Sequence, residues 1–256
     1  MKIVVAIKQV PSRDSLLKVN GDGTWIEDAD LAYEINEPDA YALEAGLQLR
    51  EKEGGEVVVI CVGPDRASQT IREALAKGAD RAIHIETESE SVGDPLALSR
   101  MLAAALAPES PDLVLTGLQS EDLGFGQTGV ILAEVMGLPH ATIVMNIEAV
   151  EGGIRVKREL EDGWFQNVEI PLPALLTIQS GATKLRYATL MGIKRAKTKE
   201  VKQLDPSDLA TESAATIGVS RIYLPEKTKK SVLFDGPARE SAAKLVEKLR
   251  FEARVI

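Results

Sequence analysis

Short apolar runs typical of buried strands alternate with helical segments through the first half of the sequence. The four predicted strands are Lys2–Ile7, Glu56–Val62, Arg81–Ile85 and Asp112–Thr116. Near-continuous apolar runs of this length suit parallel strands that are covered on both faces. The repeated strand–helix order favours right-handed crossovers. It therefore predicts an α/β fold with a doubly wound, mostly parallel, Rossmann-like sheet.

Proline, glycine and aspartate mark the ends of the helices between these strands. The predicted helices extend from Pro38 to Gly54, from Pro64 to Gly78, from Asp94 to Leu106 and from Gln127 to Gly137. Proline is favoured in a first helical turn, and glycine is favoured just after a last one. The helix ends thus agree with the strand assignments.

The pattern changes in the second half of the chain. Further strands are predicted at 142–150, 153–160, 166–170 and 174–178, joined by short turns that indicate an antiparallel, hairpin-like extension of the sheet. From Gln179 to about Ser213 no strong periodicity is present. The chain then resumes with a predicted strand, Val219–Leu224, and an amphipathic helix, Ala238–Phe251.

Charge and cysteine content exclude several classes of function. The 256 residues include 30 Lys+Arg and 39 Asp+Glu, a net charge of −9, which argues against non-specific nucleic-acid binding. One cysteine and two histidines leave little material for a disulfide framework or a metal site, and we expect neither. The apolar stretch that precedes Lys8 is too short for a signal peptide or a membrane span, so we expect a cytoplasmic protein without membrane insertion.

Basic residues are concentrated in one part of this acidic chain. The segment 184–202 contains seven of them and a single acid, Glu200. The seven are Lys184, Arg186, Lys194, Arg195, Lys197, Lys199 and Lys202. Such a cluster is either a solvated face or a surface that steers an acidic partner.

A ligand site is predicted where the strand order reverses. In the common order 3-2-1-4, the exits of the first and fourth predicted strands meet at this point, which places the site at 8–11 and 117–122. The sequence Gly124-Phe-Gly126-Gln-Thr-Gly129 fits the dinucleotide fingerprint, but seven residues separate it from Thr116, whereas the fingerprint follows its strand directly. What remains is a glycine-rich loop before a helix, whose free N–H groups can bind a phosphate.

No catalytic constellation is visible in the sequence. Cys61 lies in an apolar strand and is interpreted as a small buried hydrophobe, and His84 and His140 lack neighbours with metal-ligand spacing. The acidic pairs 121–122 and 161–162 are interpreted as solvated turn residues. We therefore expect no catalytic residues and no bond-making chemistry.

Several linked motifs resemble the β subunit of electron transfer flavoprotein. They include Val156-Lys-Arg-Glu-Leu-Glu-Asp-Gly163, Pro173-Ala-Leu-Leu-Thr177, Arg186-Tyr-Ala-Thr-Leu190, Gly78-Ala-Asp-Arg81 and Gln127-Thr-Gly129. They occur in the family's order over residues 1 to about 205, which makes the set more specific than any single motif.

The resemblance implies an AMP that is buried in this subunit and has a structural role. Carried over residue by residue, the implied pocket consists of Ala6, Asn36, Glu37, Pro38, Asp39, Val62, Gly117, Leu118, Gln119, Ser120, Glu121, Asp122, Leu123, Gly124, Phe125, Gly126, Gln127 and Thr128. This set includes residues 117–122, the exit of the fourth predicted strand, which the expected strand order selects independently.

The resemblance also implies partners. The family is a heterodimer in which an α subunit holds most of a redox-active FAD, and electrons pass from primary dehydrogenases, such as acyl-CoA dehydrogenases, to a quinone oxidoreductase. Tyr187 and Leu190 match the loop that docks dehydrogenases, and Glu159 matches an acidic residue that faces the flavin domain. The implied divisions are a nucleotide-binding domain (1–183), a docking loop with the basic segment (184–205) and a C-terminal arm on the α subunit (206–256).

Two alternatives stay open at this point. A branch of the family performs electron bifurcation and binds a second FAD where others bind AMP. The loop Gln119-Ser-Glu-Asp122 departs from the family's usual Gln-Ala-x-Asp, which keeps FAD in this subunit open. A stand-alone adenine-nucleotide-binding protein of the same α/β class is the other alternative.

Overall fold

Nine strands form one mixed sheet at the centre of the protein. The computed structural model describes residues 1–88, 93–209, 215–226 and 231–256. The strands are β1 (Lys2–Ala6), β4 (Glu56–Gly63), β5 (Arg81–Glu86), β6 (Leu113–Gly117), β7 (His140–Val150), β8 (Gly153–Glu159), β9 (Phe165–Pro171), β10 (Ala174–Ile178) and β11 (Val201–Leu204). Their order is β11-β5-β4-β1-β6-β10-β7-β8-β9, so the predicted 3-2-1-4 arrangement and the α/β fold class are confirmed.

All neighbouring strands from β11 to β7 pair in parallel, while β7–β8 and β8–β9 pair antiparallel. The antiparallel extension is therefore confirmed, with one difference. The strand β10 was expected to continue the extension after β9, but it is inserted between β6 and β7. All five of its residues are buried, as its continuous apolar run Ala-Leu-Leu-Thr-Ile requires.

A small second sheet pairs β2 (Gln9–Pro11) with β3 (Tyr33–Ile35) in antiparallel fashion, and the sequence did not predict it. Its β2 follows β1 almost directly. Between β2 and β3, the loop contains one further antiparallel bridge, Val19 to Ile26.

Helices cover both faces of the central sheet, which divides the core into two apolar clusters. The helices are α1 (Glu37–Glu53), α2 (Ala67–Lys77), α3 (Pro95–Leu106), α4 (Thr128–Met136), α5 (Leu190–Ala196) and α6 (Ala238–Phe251). The first cluster contains residues of α1 and α2, and the second contains residues of α3 and α4. The β1 residues Val4 and Val5 are both 0% exposed because each points into one of the two clusters.

Two expectations for the second half were wrong. The segment after Gln179, expected to lack regular structure, contains α5 and β11, and the latter extends the sheet beyond β5. No strand forms at Val219–Leu224, where the described residues are irregular. The β-branched and aromatic residues of this segment favour a strand, but the Ile222 N–H donates to Gly23 O at 2.8 Å, in the loop between β2 and β3.

The described chain divides into two compact units, Met1–Ile222 and Tyr223–Ile256. The first contains both sheets and the helices α1 to α5. In the second, α6 has no buried residue, and Leu233 and Phe251 are exposed. Among the described residues, no helix is long and apolar enough to cross a membrane.

Candidate functional site

A cleft opens at the carboxyl ends of β1, β4 and β6. It measures about 770 Å³ when the space at its open mouth is included. The strand order reverses here, because β4 lies on one side of β1 and β6 on the other. Ala6, Val62 and Gly117 mark the three strand ends on its floor. A ligand site in an open α/β sheet is expected at this position.

Asp39 joins the ends of β1 and β6 beneath the cleft. Its Oδ2 accepts the Lys8 N–H at 2.8 Å and its Oδ1 accepts the Gly117 N–H at 2.9 Å. Gly117 leaves room for this contact, since a Cβ there would lie 2.3 Å from Asp39 Oδ1. Burial raises the pKa of Asp39 to about 7, although the two N–H donors oppose the change. The carboxylate thus holds the two strand exits at a fixed separation.

The loop after β6, residues 118–127, forms one wall of the cleft, and Asn36 holds it in place. The Asn36 amide donates to Gln119 O at 3.0 Å and accepts the Glu121 N–H at 2.9 Å. Lys8 Nζ contacts the Asp122 carboxylate at 2.7 Å, and Arg13 donates from Nε to Glu121 Oε1 at 2.8 Å. Glu121 and Asp122 are exposed turn residues, as predicted, and each is also ion-paired.

The N-termini of α3 and α4 both border the cleft, but only α3 is capped by a side chain. The Asp94 side chain accepts the N–H groups of Leu96 and Ala97 and so occupies the first turn of α3. At α4, the N-cap residue Gln127 makes no side-chain cap hydrogen bond. Because the first N–H groups of a helix have no intrahelical partner, α4 presents donors and the positive end of its dipole to an anion.

Close packing fixes α4 against the sheet. A Cβ at Gly129 would lie 2.6 Å from both Thr116 Oγ1 and Thr177 Cγ2, so only glycine permits the first turn of α4 to approach β6 and β10 this closely. Gly126 has φ +62°, the left-handed conformation that the loop needs before it enters the helix. Close packing at Gly129 and the left-handed backbone at Gly126 therefore account for these two glycines without a dinucleotide fingerprint.

The wall opposite the loop is apolar. It is formed by Ile60, Val62, Leu98 and Leu102, all of them buried or partly buried. A flat aromatic base fits against aliphatic side chains of this kind, and an anion fits at the α4 N-terminus. The residues present therefore suit a small nucleotide.

The structure brings most of the residues that the resemblance implied around this cleft. Those that line it are Ala6, Asn36, Asp39, Val62, Gly117, Leu118, Gln119, Ser120, Leu123, Phe125, Gly126, Gln127 and Thr128. Five others are not among its lining residues, namely Glu37, Pro38, Glu121, Asp122 and Gly124. Glu121 and Asp122 instead hold the loop from outside through Arg13 and Lys8. That any of these residues binds a nucleotide stays a prediction.

Sequence reasoning missed the contribution of α3. Gly93, Pro95, Leu98 and Leu102 line the cleft, but their spacing signals only a helix that packs on a sheet. No sequence signal identifies these residues, because their place in the cleft depends on how α3 and α4 pack side by side.

A second candidate site is the short helix α5, in the basic segment. Thr189 caps it by accepting the Gly192 N–H at 3.0 Å. Leu190 is 81% exposed and Tyr187 is 91% exposed, and Met191 and Ile193 are exposed beside them. Large apolar side chains that are this accessible on an ordered element are typical of an interaction surface.

The surface around α5 is held by basic residues whose partners lie on α1 and α2. Arg186 pairs with Glu44 (Nε to Oε2, 2.7 Å) and with Glu51 (Nη1 to Oε1, 2.6 Å), and these carboxylates raise the pKa of Arg186. Lys199 Nζ donates to Leu75 O at 3.0 Å near the end of α2. Part of the basic cluster therefore fixes α5 in position rather than forming a solvated face.

Gly192 allows α5 to contact α2 directly. A Cβ at this position would lie 2.2 Å from Ala76 O. Arg72 of α2 also donates from Nη1 to Ala196 O at 2.7 Å, at the last residue of α5. Leu190, in the predicted docking loop, therefore begins a short helix that is held against α2, while Tyr187 lies in the irregular segment before it.

Glu159, the third predicted docking residue, lies on a different element, at the end of β8. Its carboxylate accepts the Gln179 amide at 3.1 Å. Nearby, Trp164 is 72% exposed in the turn that joins β8 to β9. Of the three predicted docking residues, Tyr187 and Leu190 lie before and at the start of α5, while Glu159 lies at the end of β8 and stays a separate prediction.

Cys61 and His84 are both buried in the sheet, as expected. Burial raises the pKa of the Cys61 thiol to about 12, so it remains protonated. His84 Nε2 lies 3.1 Å from Gly63 O, and its Nδ1 has no hydrogen-bond partner among the described residues. Neither side chain lines the cleft.

The parallel sheet, the cleft at its switch point and the uncapped α4 N-terminus define a protein of the nucleotide-binding α/β class. The sequence profile described as "Electron transfer flavoprotein domain" matches residues 24–209. The chain belongs to the electron transfer flavoprotein family, and it has an electron transfer role. The resemblance seen in its motifs is confirmed.

The similar proteins are β subunits of this family. The electron transfer flavoprotein subunit beta of Methylophilus methylotrophus is 37% identical over 258 residues, which cover 96% of this chain and 97% of the relative. The mitochondrial subunit beta of Oryza sativa subsp. japonica is 35% identical, with 100% of both chains covered. The human subunit beta is 32% identical over 100% of this chain and 99% of its own length.

Proposed function

We propose that this chain is the β subunit of a heterodimeric electron transfer flavoprotein, paired with an α subunit that holds most of a redox-active FAD. The FAD, when bound, carries electrons from a primary dehydrogenase to a quinone oxidoreductase. This chain provides a scaffold, a nucleotide pocket and a docking helix, without bond-making catalysis of its own. The observation that carries the proposal is the cleft at the β1/β6 switch point, within a chain whose relatives are β subunits over their full length.

The cleft is proposed to hold AMP. Lys8 is the only basic side chain among the described residues that line it, and Lys8 is paired with Asp122 at 2.7 Å. Phosphate binding therefore depends on the N–H groups at the α4 N-terminus, with Gln127 and Thr128 beside them. A single helix terminus without a free cation suits one phosphate group better than a chain of two or three. The aliphatic wall then receives the adenine.

A second FAD in place of AMP is the alternative proposal, and it corresponds to a bifurcating protein. It is favoured by the sequence Gln119-Ser-Glu-Asp122, which departs from the family's usual loop. In the structure, Glu121 of this loop points to Arg13 instead of lining the cleft. The residue that departs from the family's pattern is Ser120, which stands in place of the alanine and lines the cleft, so its hydroxyl is available to a ligand there.

The exposed face of α5 is proposed to dock the dehydrogenase, of the acyl-CoA dehydrogenase class that acts in fatty acid oxidation. Leu190 supplies an apolar anchor, and the cations of the segment surround it. A small buried anchor within a charged rim suits a transient encounter, since the anchor supplies affinity while the charges steer association. Glu159 is proposed to face the flavin domain of the α subunit. The protein is proposed to be cytoplasmic.

The identity of the released nucleotide tests the proposal. The chain is co-expressed with its α subunit, the purified heterodimer is denatured, and the supernatant is analysed by chromatography. One AMP and one FAD per heterodimer is the expected result. Two FAD would favour the bifurcating alternative. A chain that is stable alone, hydrolyses ATP and does not bind an α subunit would contradict the proposal and support a stand-alone nucleotide-binding protein.

A further inference from the structure

The carboxylate of Asp94 connects two distant parts of the chain. Its Oδ1 accepts the N–H groups of Leu96 at 2.8 Å and Ala97 at 3.4 Å, in the first turn of α3. Its Oδ2 accepts the hydroxyl of Thr216 at 2.8 Å, the N–H of Ile217 at 3.2 Å and the N–H of Thr216. The residue is only 1% exposed. One buried side chain therefore receives five hydrogen bonds from two segments that lie more than 100 positions apart.

These donors keep Asp94 charged. Burial acts to raise the pKa of Asp94, but the hydrogen bonds from Thr216, Leu96 and Ile217 together hold that pKa below its usual range. Hydrogen bonds to a carboxylate are shorter and stronger than those between neutral groups. The contact between α3 and residues 216–217 is therefore one of the stronger polar links outside the sheet.

We call residues 215–222 the strap. One end is fixed on Asp94 through Thr216 and Ile217. The other end is fixed on the loop between β2 and β3, where the Ile222 N–H donates to Gly23 O at 2.8 Å. The strap ends the first compact unit, and the second unit follows from Tyr223.

The α3 end of the strap also borders the nucleotide cleft. Gly93 and Pro95, the immediate neighbours of Asp94, both line it. The Ser99 hydroxyl donates to Thr128 O at 3.1 Å and so links α3 to the first turn of α4. A nucleotide between these two helices contacts residues on both sides of Asp94.

We propose that Asp94 is a positioning residue that couples occupancy of the nucleotide cleft to the position of the strap. The inference rests on the proposed function, since it requires a nucleotide in the cleft. If nucleotide binding holds the first turn of α3 in place, it also holds the strap. Thermodynamic linkage then requires that a fixed strap strengthens nucleotide binding by the same factor.

Hydrogen exchange on the heterodimer tests the coupling in one direction. The heterodimer is stripped of nucleotide and then examined with and without saturating AMP. We expect AMP to slow amide exchange across residues 215–222 by about fivefold or more, the lower end of typical coupling. Exchange in β11, which is remote from the cleft, serves as the internal reference. This measurement needs no substitution and so cannot fail through misfolding.

Thr216→Val tests the coupling in the other direction. The valine removes the hydroxyl donor but leaves Asp94 free to cap α3. We expect the dissociation constant for AMP to rise about fivefold or more. The matched control is Thr198→Val, because the Thr198 hydroxyl donates to Arg195 O at 3.1 Å and lies outside the cleft. This variant should bind AMP as tightly as the unmodified heterodimer does. Asp94→Asn keeps one oxygen acceptor, so its affinity for AMP should fall less than that of Asp94→Ala.

Two results would overturn the inference. Strap exchange that is identical with and without AMP, in a heterodimer that binds AMP, would show that the two sites are independent. Equal AMP affinity in Thr216→Val and the unmodified heterodimer would show the same. Both results leave the proposed function intact. An unmodified heterodimer that contains no adenine nucleotide and does not bind AMP would instead remove the proposed function, and this inference with it.

Discussion

A single buried carboxylate, Asp39, determines the geometry of the strand exits at the cleft. The chain could have used a neutral residue there, since the two N–H donors from Lys8 and Gly117 need only acceptors. The carboxylate satisfies both N–H groups with one side chain because it has two acceptor oxygens. Because Asp39 is buried, its charged form is destabilised relative to its protonated form. Asp39 therefore couples the local structure to pH.

This coupling has a defined sign. The pKa of Asp39 is 3.8 for an ordinary side chain and about 7 in the folded protein, so the folded state binds the proton more tightly. The contribution to stability is fully present below the ordinary pKa and is lost as pH rises through the folded one. We expect the free energy of unfolding to contain a component that falls between pH 4 and pH 7.

Asp39→Asn is the corresponding test. The amide has one acceptor oxygen, so one of the two N–H groups loses its partner, and we expect a loss of about 1–3 kcal/mol in stability at pH 5. The pH-dependent component should also disappear. Urea unfolding between pH 4 and pH 8 measures both effects. The control is Asp112→Asn at the other end of β1, where the amide keeps an oxygen that can accept the Lys2 N–H, so the pH-dependent component assigned to Asp39 should persist in this variant. A variant with the same pH profile as the unmodified chain would contradict the prediction.

At the scale of elements, the position of α5, the proposed docking helix, depends on its contact with α2. Leu190 projects into solvent, while Gly192 on the same helix lies against Ala76 O. An exposed leucine contributes little to folding, but it is available to a partner. Gly192 thus holds α5 in place, and a different residue, Leu190, is proposed to bind the dehydrogenase.

Two variants of α5 test this division. Leu190→Ala should slow electron transfer from the dehydrogenase, with a loss of about 2 kcal/mol or more in docking free energy, and leave flavin content and stability unchanged. Gly192→Ala should displace α5, slow electron transfer in the same way and lower stability by about 1–3 kcal/mol through overpacking. Stopped-flow reduction of the heterodimer and thermal unfolding measure the two effects.

Gly21→Ala is the matched control for the second variant, because nothing lies within 4 Å of its added Cβ. It should leave electron transfer unchanged. Normal reduction kinetics in Leu190→Ala would remove the docking assignment, whatever the effect of Gly192→Ala on stability.

The sequence predicted most elements but not all of their neighbours. The strands β1, β4, β5 and β6 and the helix ends were predictable because proline, glycine and aspartate carry local conformational signals. The place of β10 was not, because a buried apolar run shows that a strand is covered but not which strand it pairs with. The helix α5 has seven residues and exposed apolar side chains, so it gives little periodicity. The strand predicted at Val219–Leu224 contains β-branched and aromatic residues, but this segment pairs with no strand of either described sheet.

The candidate site shows the same limit. The switch-point argument located the cleft from the strand exits alone, and the glycine-rich loop indicated an anion site at α4. The capping of α3 by Asp94 was also visible, since Asp-Pro is a strong helix start. What could not be seen is that α3 and α4 lie side by side, so that Pro95 and Leu98 face the cleft. Side-by-side helix packing is a long-range property that no local pattern encodes.

At the scale of the whole molecule, the second compact unit carries apolar side chains without a burial partner of its own. In α6, Leu245, Val246 and Phe251 are all exposed. An amphipathic helix of this kind is ordinarily stabilised by packing on another surface. The predicted C-terminal arm, 206–256, includes this unit, and its proposed surface belongs to the α subunit.

Leu245→Glu tests that assignment. The side chain is 47% exposed, so the unfolding of this chain alone should change little. Its affinity for the α subunit should fall by about 2 kcal/mol or more, because a charge replaces an apolar contact at the interface. Analytical ultracentrifugation measures the association. Glu247→Gln, an exposed change on the same helix, is the control. Unchanged affinity in Leu245→Glu would place the α subunit elsewhere.

One helix, α1, touches both proposed sites, and this makes its length a fixed dimension of the molecule. Asn36 and Asp39, at its start, hold the cleft, while Glu44 and Glu51, farther along, hold Arg186 beside the docking helix. Inserting one residue between Asp39 and Glu44 would turn everything beyond it by about 100° and advance it by about 1.5 Å. Both carboxylates would then face away from Arg186. Insertions and deletions during divergence of this chain are therefore expected in its loops and not within α1.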